Sequence, residues 1–249
     1  MFRGLEDFQN GQVLLVNKPL TWTSFDVVNR IRIKITKHFG IKKIKIGHAG
    51  TLDPLATGLL IICTGKFTSK LETFQGQPKR YTGTITLGQT TPSFDLETLP
   101  EGNYPTDHIS ATLVEEKRKF FLGKQAQIPP IFSAVKKDGQ RLFKKARKGE
   151  MFTPDAREIE IYQFDILYVD LPLLHFDVLC SKGTYIRSLA SDFGKAVESG
   201  GYLSTLCRTA IGDYQLQNAW ELSDLLTAIE GLPTLPPAQA APPYPPANH

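Results

Sequence analysis

Residues 47–60, GHAGTLDPLATGLL, set three glycines, one proline and a single acid between two apolar segments. Glycine allows positive φ and lets a ligand's backbone come close, while Pro54 holds the residue before it, Asp53, in an extended conformation. The loop is therefore suited to present Asp53 rigidly, with His48 five residues upstream. An aspartate in such a loop serves a structural turn or cap more often than catalysis, and the loop alone leaves both open. A His–Asp pair also raises metal binding, but no second acid or histidine accompanies it in this stretch, so no metal site is expected.

The flanks supply the elements that would carry this loop. Lys43–Ile46 alternates like a strand on the way in, and Leu59–Thr64 is a continuous apolar run that reads as a buried strand on the way out. Gln12–Asn17 is another short strand, stopped by Lys18-Pro19. Ser24 is placed to cap a helix to about Lys37, with Val27, Val28, Ile31 and Ile35 on one face. Lys66–Phe74, Ser110–Phe121, Thr184–Glu198 and Glu221–Ala228 read as further helices. Arg80–Leu87 is β-rich, Gly88–Asn103 has loop chemistry, and Arg157–Val169 pairs with Leu173–Cys180 around Leu171-Pro172. There is no regular βαβ alternation and no GxGxxG or GxxxxGK[ST] segment. The pattern predicts an α+β fold whose central mixed, largely antiparallel sheet is flanked by helices and loops.

Composition bounds the function classes. With 249 residues, 41% hydrophobic and 22% charged, the chain is neither disordered, collagen-like nor a coiled coil. No apolar run approaches the ~18–20 residues of a membrane helix, so no membrane partner is expected. The N-terminus, MFRGLEDFQN, has acids at Glu6 and Asp7 and no apolar segment, unlike a secretory signal. Cys63, Cys180 and Cys207 are odd in number and form no CxxC, which points to a cytoplasmic protein without disulfides or zinc. The folded body is expected over about residues 10–230. The last 19 residues, 231–249, hold seven of the 17 prolines and no charged residue, and read as a disordered Pro-rich tail.

The net charge of +4 is small but uneven. Between Val27 and Leu52 lie seven cations, among them Arg30, Lys42 and Lys45, and no acid. A second run gathers Lys136, Lys137, Arg141, Lys144, Lys145, Arg147 and Lys148 against Asp138 alone. Such runs are solvated helix faces more often than nucleic-acid sites, yet they are also what a polyphosphate partner requires.

GHAGTLDPLATGLL resembles the signature of the TruB family of pseudouridine synthases. So do LLVNKPLTWTS (14–24), KRYTGTITLGQTT (79–91), QIPPIFSAVKKDGQRLFKKARKG (127–149), CSKGTYIRSLASDFG (180–194) and LCRTAIG (206–212), in family order. The resemblance implies the pseudouridine synthase fold and an RNA-modifying isomerase, converting a uridine in the TΨC loop of tRNA (position 55) to pseudouridine by base flipping. By that resemblance Asp53 is the nucleophile, attacking C1′ of the ribose or C6 of the base. Arg187 is its paired cation, and Tyr81 stacks on the base and assists removal of the C5 proton. Lys18, His48, Tyr185, Leu206 and Arg208 would line or support the base pocket. Lys136, Lys137, Arg141, Lys144, Lys145 and Lys148 would meet RNA phosphates from a clamping insertion, about residues 124–155.

No cofactor is implied, since the reaction is an isomerisation without net redox or hydrolysis, and nothing calls for more than a monomer. Asp95 stands in a looser-matching stretch and receives no role. The residues after LCRTAIG are expected to be too few for the C-terminal RNA-binding (PUA) domain of many bacterial members. Two other readings remain. One is an RNA chaperone using the same groove on tRNA, for which a nucleophile would be superfluous. The other is an Asp-dependent nuclease or glycosidase, which would want a second carboxylate or a metal beside Asp53.

Overall fold

The computed structural model describes residues 2–132, 136–137, 140–141 and 154–234. In chain order the strands are β1 (Val13–Lys18), β2 (Ile46–His48), β3 (Ala56–Thr64), β4 (Lys79–Leu87), β5 (Gly123–Gln127), β6 (Lys136–Lys137) and β7 (Gln140–Arg141). They continue as β8 (Arg157–Asp170), β9 (Leu173–Cys180), β10 (Gly201–Ile211), β11 (Tyr214–Gln215) and β12 (Trp220–Glu221). The helices are α1 (Leu5–Asn10), α2 (Ser24–His38), α3 (Leu71–Gly76), α4 (Ala111–Lys119), α5 (Ile186–Ala196) and α6 (Leu222–Glu230).

Ten of the strands form one sheet in the order β12-β1-β3-β10-β4-β9-β8-β5, with β2 added on β3 and β11 on β10. The β1–β12 and β3–β10 pairs are parallel and the other pairs are antiparallel. The expected α+β class with a mixed, largely antiparallel sheet is therefore what forms. The β6–β7 pair makes a separate ribbon.

Burial explains why neighbouring strands read so differently. In β3, Leu60 and Ile62 join a core built by α1, α2 and α6, while Leu59, Ile61 and Cys63 join one containing Phe74 of α3. Both faces are covered, hence the unbroken apolar run. In β9, Leu174, Phe176, Val178 and Cys180 are buried in strict alternation against α4 and α5, where the rings of Phe121, Phe164, Phe176 and Phe193 meet edge-on or tilted with centroids 5.6–6.3 Å apart. Only one face of that strand needs to be apolar.

Three differences from the sequence expectations bear on the site. The α2 cap is Thr23, not Ser24: Thr23 accepts from the Asp26 N–H, and the Asp26 carboxylate accepts from the Thr23 N–H at 3.0 Å. That frees the Ser24 hydroxyl for a contact described below. Leu5 and Phe8 of α1 are buried, so the packed body begins ahead of residue 10. And β10, unassigned from the sequence, is the central strand between β3 and β4.

Candidate active site

The 49–55 loop leaves β2 at His48 and enters β3 at Ala56, and it is held at nearly every step. Leu52 N–H donates to the Ser24 hydroxyl (2.9 Å), which donates back to the Leu52 carbonyl (3.2 Å). Pro54 O accepts from Thr21 N–H at 2.9 Å and from Lys18 Nζ at 3.2 Å. Arg208, on β10, donates from Nε to Leu59 O (2.8 Å) and from a terminal nitrogen to Gly50 O (3.1 Å). Gly58 has φ +102°, and a Cβ there would lie 2.4 Å from the Arg208 backbone oxygen, so only glycine lets β3 and β10 approach this closely.

Lys18 departs from expectation. It is fully buried beneath the loop, donates to Pro19 O (2.8 Å), Trp22 O (2.5 Å) and Pro54 O, and is not among the residues facing the cleft. Burial pushes its ammonium down to about 8, although the nearby Asp53 charge pulls the other way. It braces the loop and does not line the pocket.

At the cleft floor Asp53 Oδ2 lies 2.9 Å from Arg187 Nε. Asp95 Oδ2 lies 3.5 Å from the same nitrogen. The other arms of the guanidinium donate to Ser93 O (3.2 Å) and Phe132 O (3.0 Å), so its orientation is fully determined. The three side chains differ in access: Asp53 is 41% exposed, whereas Arg187 and Asp95 are 5% and 6% exposed. Only Asp53 can meet a reactant. Even so, its recess among buried groups raises its carboxyl pKa, Arg187 opposes that rise and Asp95 adds to it. Sequence reasoning gave Asp95 no role. It reaches Arg187 because the 91–98 loop folds back on β10, pinned by Leu203 N–H to Phe94 O at 2.9 Å, with Phe94 in the left-handed region (φ +63°).

Tyr81, Leu206 and Tyr185 give the cleft apolar and aromatic surface beside Asp53. Tyr81, on β4 opposite Arg208, is 8% exposed, and burial raises its phenol pKa against a hydrogen bond from Arg208. Leu206 and Tyr185 face the same space. His48 completes the rim, and burial, reinforced by the Arg208 charge, lowers its pKa and keeps it neutral at pH 7. The cleft holds about 1010 Å³. Of the expected site residues it brings together Asp53, Arg187, Tyr81, His48, Tyr185, Leu206 and Arg208.

The ribbon carries Lys136, Lys137 and Arg141 in its backbone, whereas Lys144, Lys145 and Lys148, like the tail from residue 235, lie outside the described residues. In the first basic run Arg30, Lys37, Lys42, Lys43 and Lys45 are exposed, while Lys34 pairs with Glu230.

Chemically, the floor offers one accessible carboxylate on a fixed cation, beneath surfaces that suit a planar ring. Asp95 is a second carboxylate on the same arginine, but it is 6% exposed and is not among the residues lining this cleft, whose other carboxylates are the exposed Glu72 and Asp155. No cluster of three or more His, Cys, Asp or Glu able to hold a metal occurs among the described residues. No described helix is long and apolar enough to cross a membrane.

Residues 36–186 match the family model described as TruB family pseudouridylate synthase, N-terminal domain. The chain is 55% identical over 219 residues to tRNA pseudouridine synthase B of Flavobacterium johnsoniae, covering 88% of this chain and 96% of that one. It is 53% identical over 212 residues to the protein of the same name from Phocaeicola vulgatus, covering 85% and 90%. Among solved structures, a Cbf5-Nop10-Gar1 complex superposes with a TM-score of 0.65 at 26% identity, over 88% of this chain. The match spans about half, 54%, of that longer chain.

Proposed function

The chain belongs to the TruB family of pseudouridylate synthases, and from that premise we propose that it converts a uridine in the TΨC loop of tRNA to pseudouridine. Its relatives named tRNA pseudouridine synthase B support tRNA as the substrate. The observation that carries the reading is the floor of the cleft: an open carboxylate, Asp53, paired with a buried arginine beside Tyr81 and Leu206.

A stacked uridine cannot bring its C1′–N1 bond to such a floor, so it must be extruded from the RNA. Unstacking costs a few kcal/mol, and an aromatic face such as Tyr81 offsets about 1–3 kcal/mol of it. Asp53 then attacks C1′ or C6. The C1′–N1 bond breaks, the uracil turns, a C1′–C5 bond forms, and the bond to Asp53 breaks to return its carboxylate. C5 loses its hydrogen as a proton, N1 gains one, and no electrons are exchanged with a cofactor. Tyr81 is the group suited to help take the C5 proton. Arg187 holds Asp53 in place and favours its charged form against the recess. His48 and Tyr185 support the extruded nucleotide, while Arg208 and Lys18 fix the loop that carries Asp53. The insertion, about residues 124–155, clamps the stem-loop, and the exposed cations Arg30 and Lys42–Lys45 track its phosphates.

A chaperone using the same groove would gain nothing from an ion-paired aspartate at its floor, and the enzymes among the relatives argue against it. Tritium release from a tRNA transcript labelled at uridine C5 tests the chemistry, because joining C5 to the sugar must displace that hydrogen. Wild type is expected to release tritium stoichiometrically. Asp53→Asn is expected to release none above background while binding tRNA within about threefold, since it removes the nucleophile and no phosphate contact. Equal release by both proteins would sink the assignment.

A further inference from the structure

Two cross-strand partners at the end of the β5–β8 pair, Gln127 and Arg157, both converge on Tyr185. The Gln127 carboxamide is 4% exposed and closes on the Tyr185 main chain from both ends. Its Oε1 accepts from Tyr185 N–H at 2.8 Å, and its Nε2 donates to Tyr185 O at 3.0 Å. That is the double bond pattern of an antiparallel β-bridge, made by a side chain, and it requires a donor and an acceptor in one planar group. On the other side the Arg157 guanidinium lies against the Tyr185 ring, 5.4 Å from its centroid, within cation–π range. Arg157 Nε is buried and has no hydrogen-bond partner among the described residues.

Tyr185 is the N-cap of α5 and receives no cap from its own side chain. The first turn of that helix carries Arg187, and it is tied a second time to the strap that residues 127–132 form, by Ser188 Oγ donating to Ile128 O at 2.8 Å. Fixing the Tyr185 peptide thus fixes where α5 starts, and with it the direction in which Arg187 leaves toward Asp53. We propose that Gln127 and Arg157 are positioning residues: a clamp that holds Tyr185 from backbone and ring, and through α5 sets Arg187 against Asp53. The proposal rests on reading Tyr185 and Arg187 as parts of a uridine site.

Single-turnover tritium release and tRNA filter binding on the full chain test it, with Asp53→Asn in parallel. Gln127→Leu and Arg157→Ala are each expected to slow turnover by about 10–100-fold, the penalty of a misplacement near 1 Å, with the tRNA dissociation constant within about threefold. Because both act on one tyrosine, the double variant is expected to be little slower than the worse single one. Arg157→Lys keeps the charge but loses the flat face, and is expected to stay slow.

A multiplicative double variant overturns the clamp, as does a loss confined to tRNA binding. Full recovery by Arg157→Lys also overturns it, marking Arg157 as a simple cation for RNA. Should Gln127→Leu melt below the assay temperature, Gln127→Glu substitutes. It keeps the acceptor but turns a carboxylate on Tyr185 O, and wild-type turnover there refutes the clamp. If Asp53→Asn turns over like wild type, the site reading fails instead, which separates the two failures.

Discussion

The two walls of the cleft are built by different means. The Asp53 wall rests on buried cations that end on main-chain oxygens: Lys18 on Pro19, Trp22 and Pro54, and Arg208 on Gly50 and Leu59. The other wall, the start of α5, is held largely by neutral hydrogen bonds to the first part of the insertion: Gln127 bonds the Tyr185 main chain, and Ser188 donates to Ile128 O. Charge-assisted bonds in a low-dielectric interior contribute about 1.5–3 kcal/mol each, and neutral ones about 0.5–1.5 kcal/mol. The nucleophile therefore sits on the stiffer wall and its partner cation on the more adjustable one. Arg187 touches both, since it pairs with Asp53 and also donates to Phe132 O in the strap.

Removing that link should have the largest effect. Arg187→Gln leaves Asp53 and the buried Asp95 without their cation, and a broken buried pair costs about 3–5 kcal/mol. Turnover should fall at least about 10³-fold in single-turnover assays, beyond the 10²–10³ typical of one lost electrostatic donor, because the nucleophile is also misplaced. Chemical denaturation should show the stability loss in the same protein. Arg187→Lys restores a charge but cannot reach Ser93 O and Phe132 O together, so it should regain part of the stability and little of the rate. Full recovery by lysine would mean that orientation, and hence the link between walls, is unimportant.

The two walls were also unequally legible. The Asp53 loop announces itself in fourteen consecutive residues, 47–60, because local glycines and Pro54 do much of the shaping. Even there the sequence could not say where the Lys18 ammonium ends, since a lysine's four-carbon stem reaches a pocket or a carbonyl equally well. Thr23 and Ser24 are both competent caps, but Asp26 completes a capping box only with Thr23, a signal that was available. The second wall depends on long-range pairing. Strand β10 escaped notice because bulges between Leu203 and Thr205 and between Arg208 and Ala210 break its period of two. Asp95 meets Arg187 only after the 91–98 loop folds back on that same strand, and Gln127 meets Tyr185 across 58 residues of sequence. No local pattern encodes such meetings.

A smaller effect should follow from loosening the stiffer wall. Arg208→Met keeps most of the volume but drops the bonds to Gly50 O in the loop and Leu59 O in β3, together with the contact to Tyr81. Relief of the buried charge offsets part of that, leaving an expected net loss of about 2–3 kcal/mol. For a chain of this size that is a fall of roughly 4–12 °C in Tm. Turnover should drop only about tenfold, since Ser24, Thr21 and Lys18 still hold Leu52 and Pro54. His48 should report the change independently: without the Arg208 charge its pKa should climb back toward 6.5, as read by NMR titration. An unshifted His48 would mean that burial alone sets its value.

The smallest effect carries the opposite sign. Burial raises the Asp53 pKa above its ordinary 3.8, so the folded protein disfavours the charge that the reaction needs. A carboxyl raised on folding makes the protein most stable below its unfolded pKa. That stability is lost as the pH climbs through the folded value, so any charge Asp53 carries at neutral pH is held against the recess. Asp53→Asn abolishes the charge while keeping the shape, and Asp95 remains to hold Arg187. The inactive variant should therefore melt at the same temperature as wild type or a few degrees higher at pH 7, about 2–4 °C per kcal/mol regained. The gap should narrow as the pH is lowered and wild-type Asp53 takes up its proton as well. Activity should run the other way, falling with pH as Asp53 takes up its proton. A lower Tm for Asp53→Asn at pH 7 would show that the Arg187 pair more than repays the desolvation of Asp53. The stiff wall would then be stabilised by its nucleophile and not strained by it.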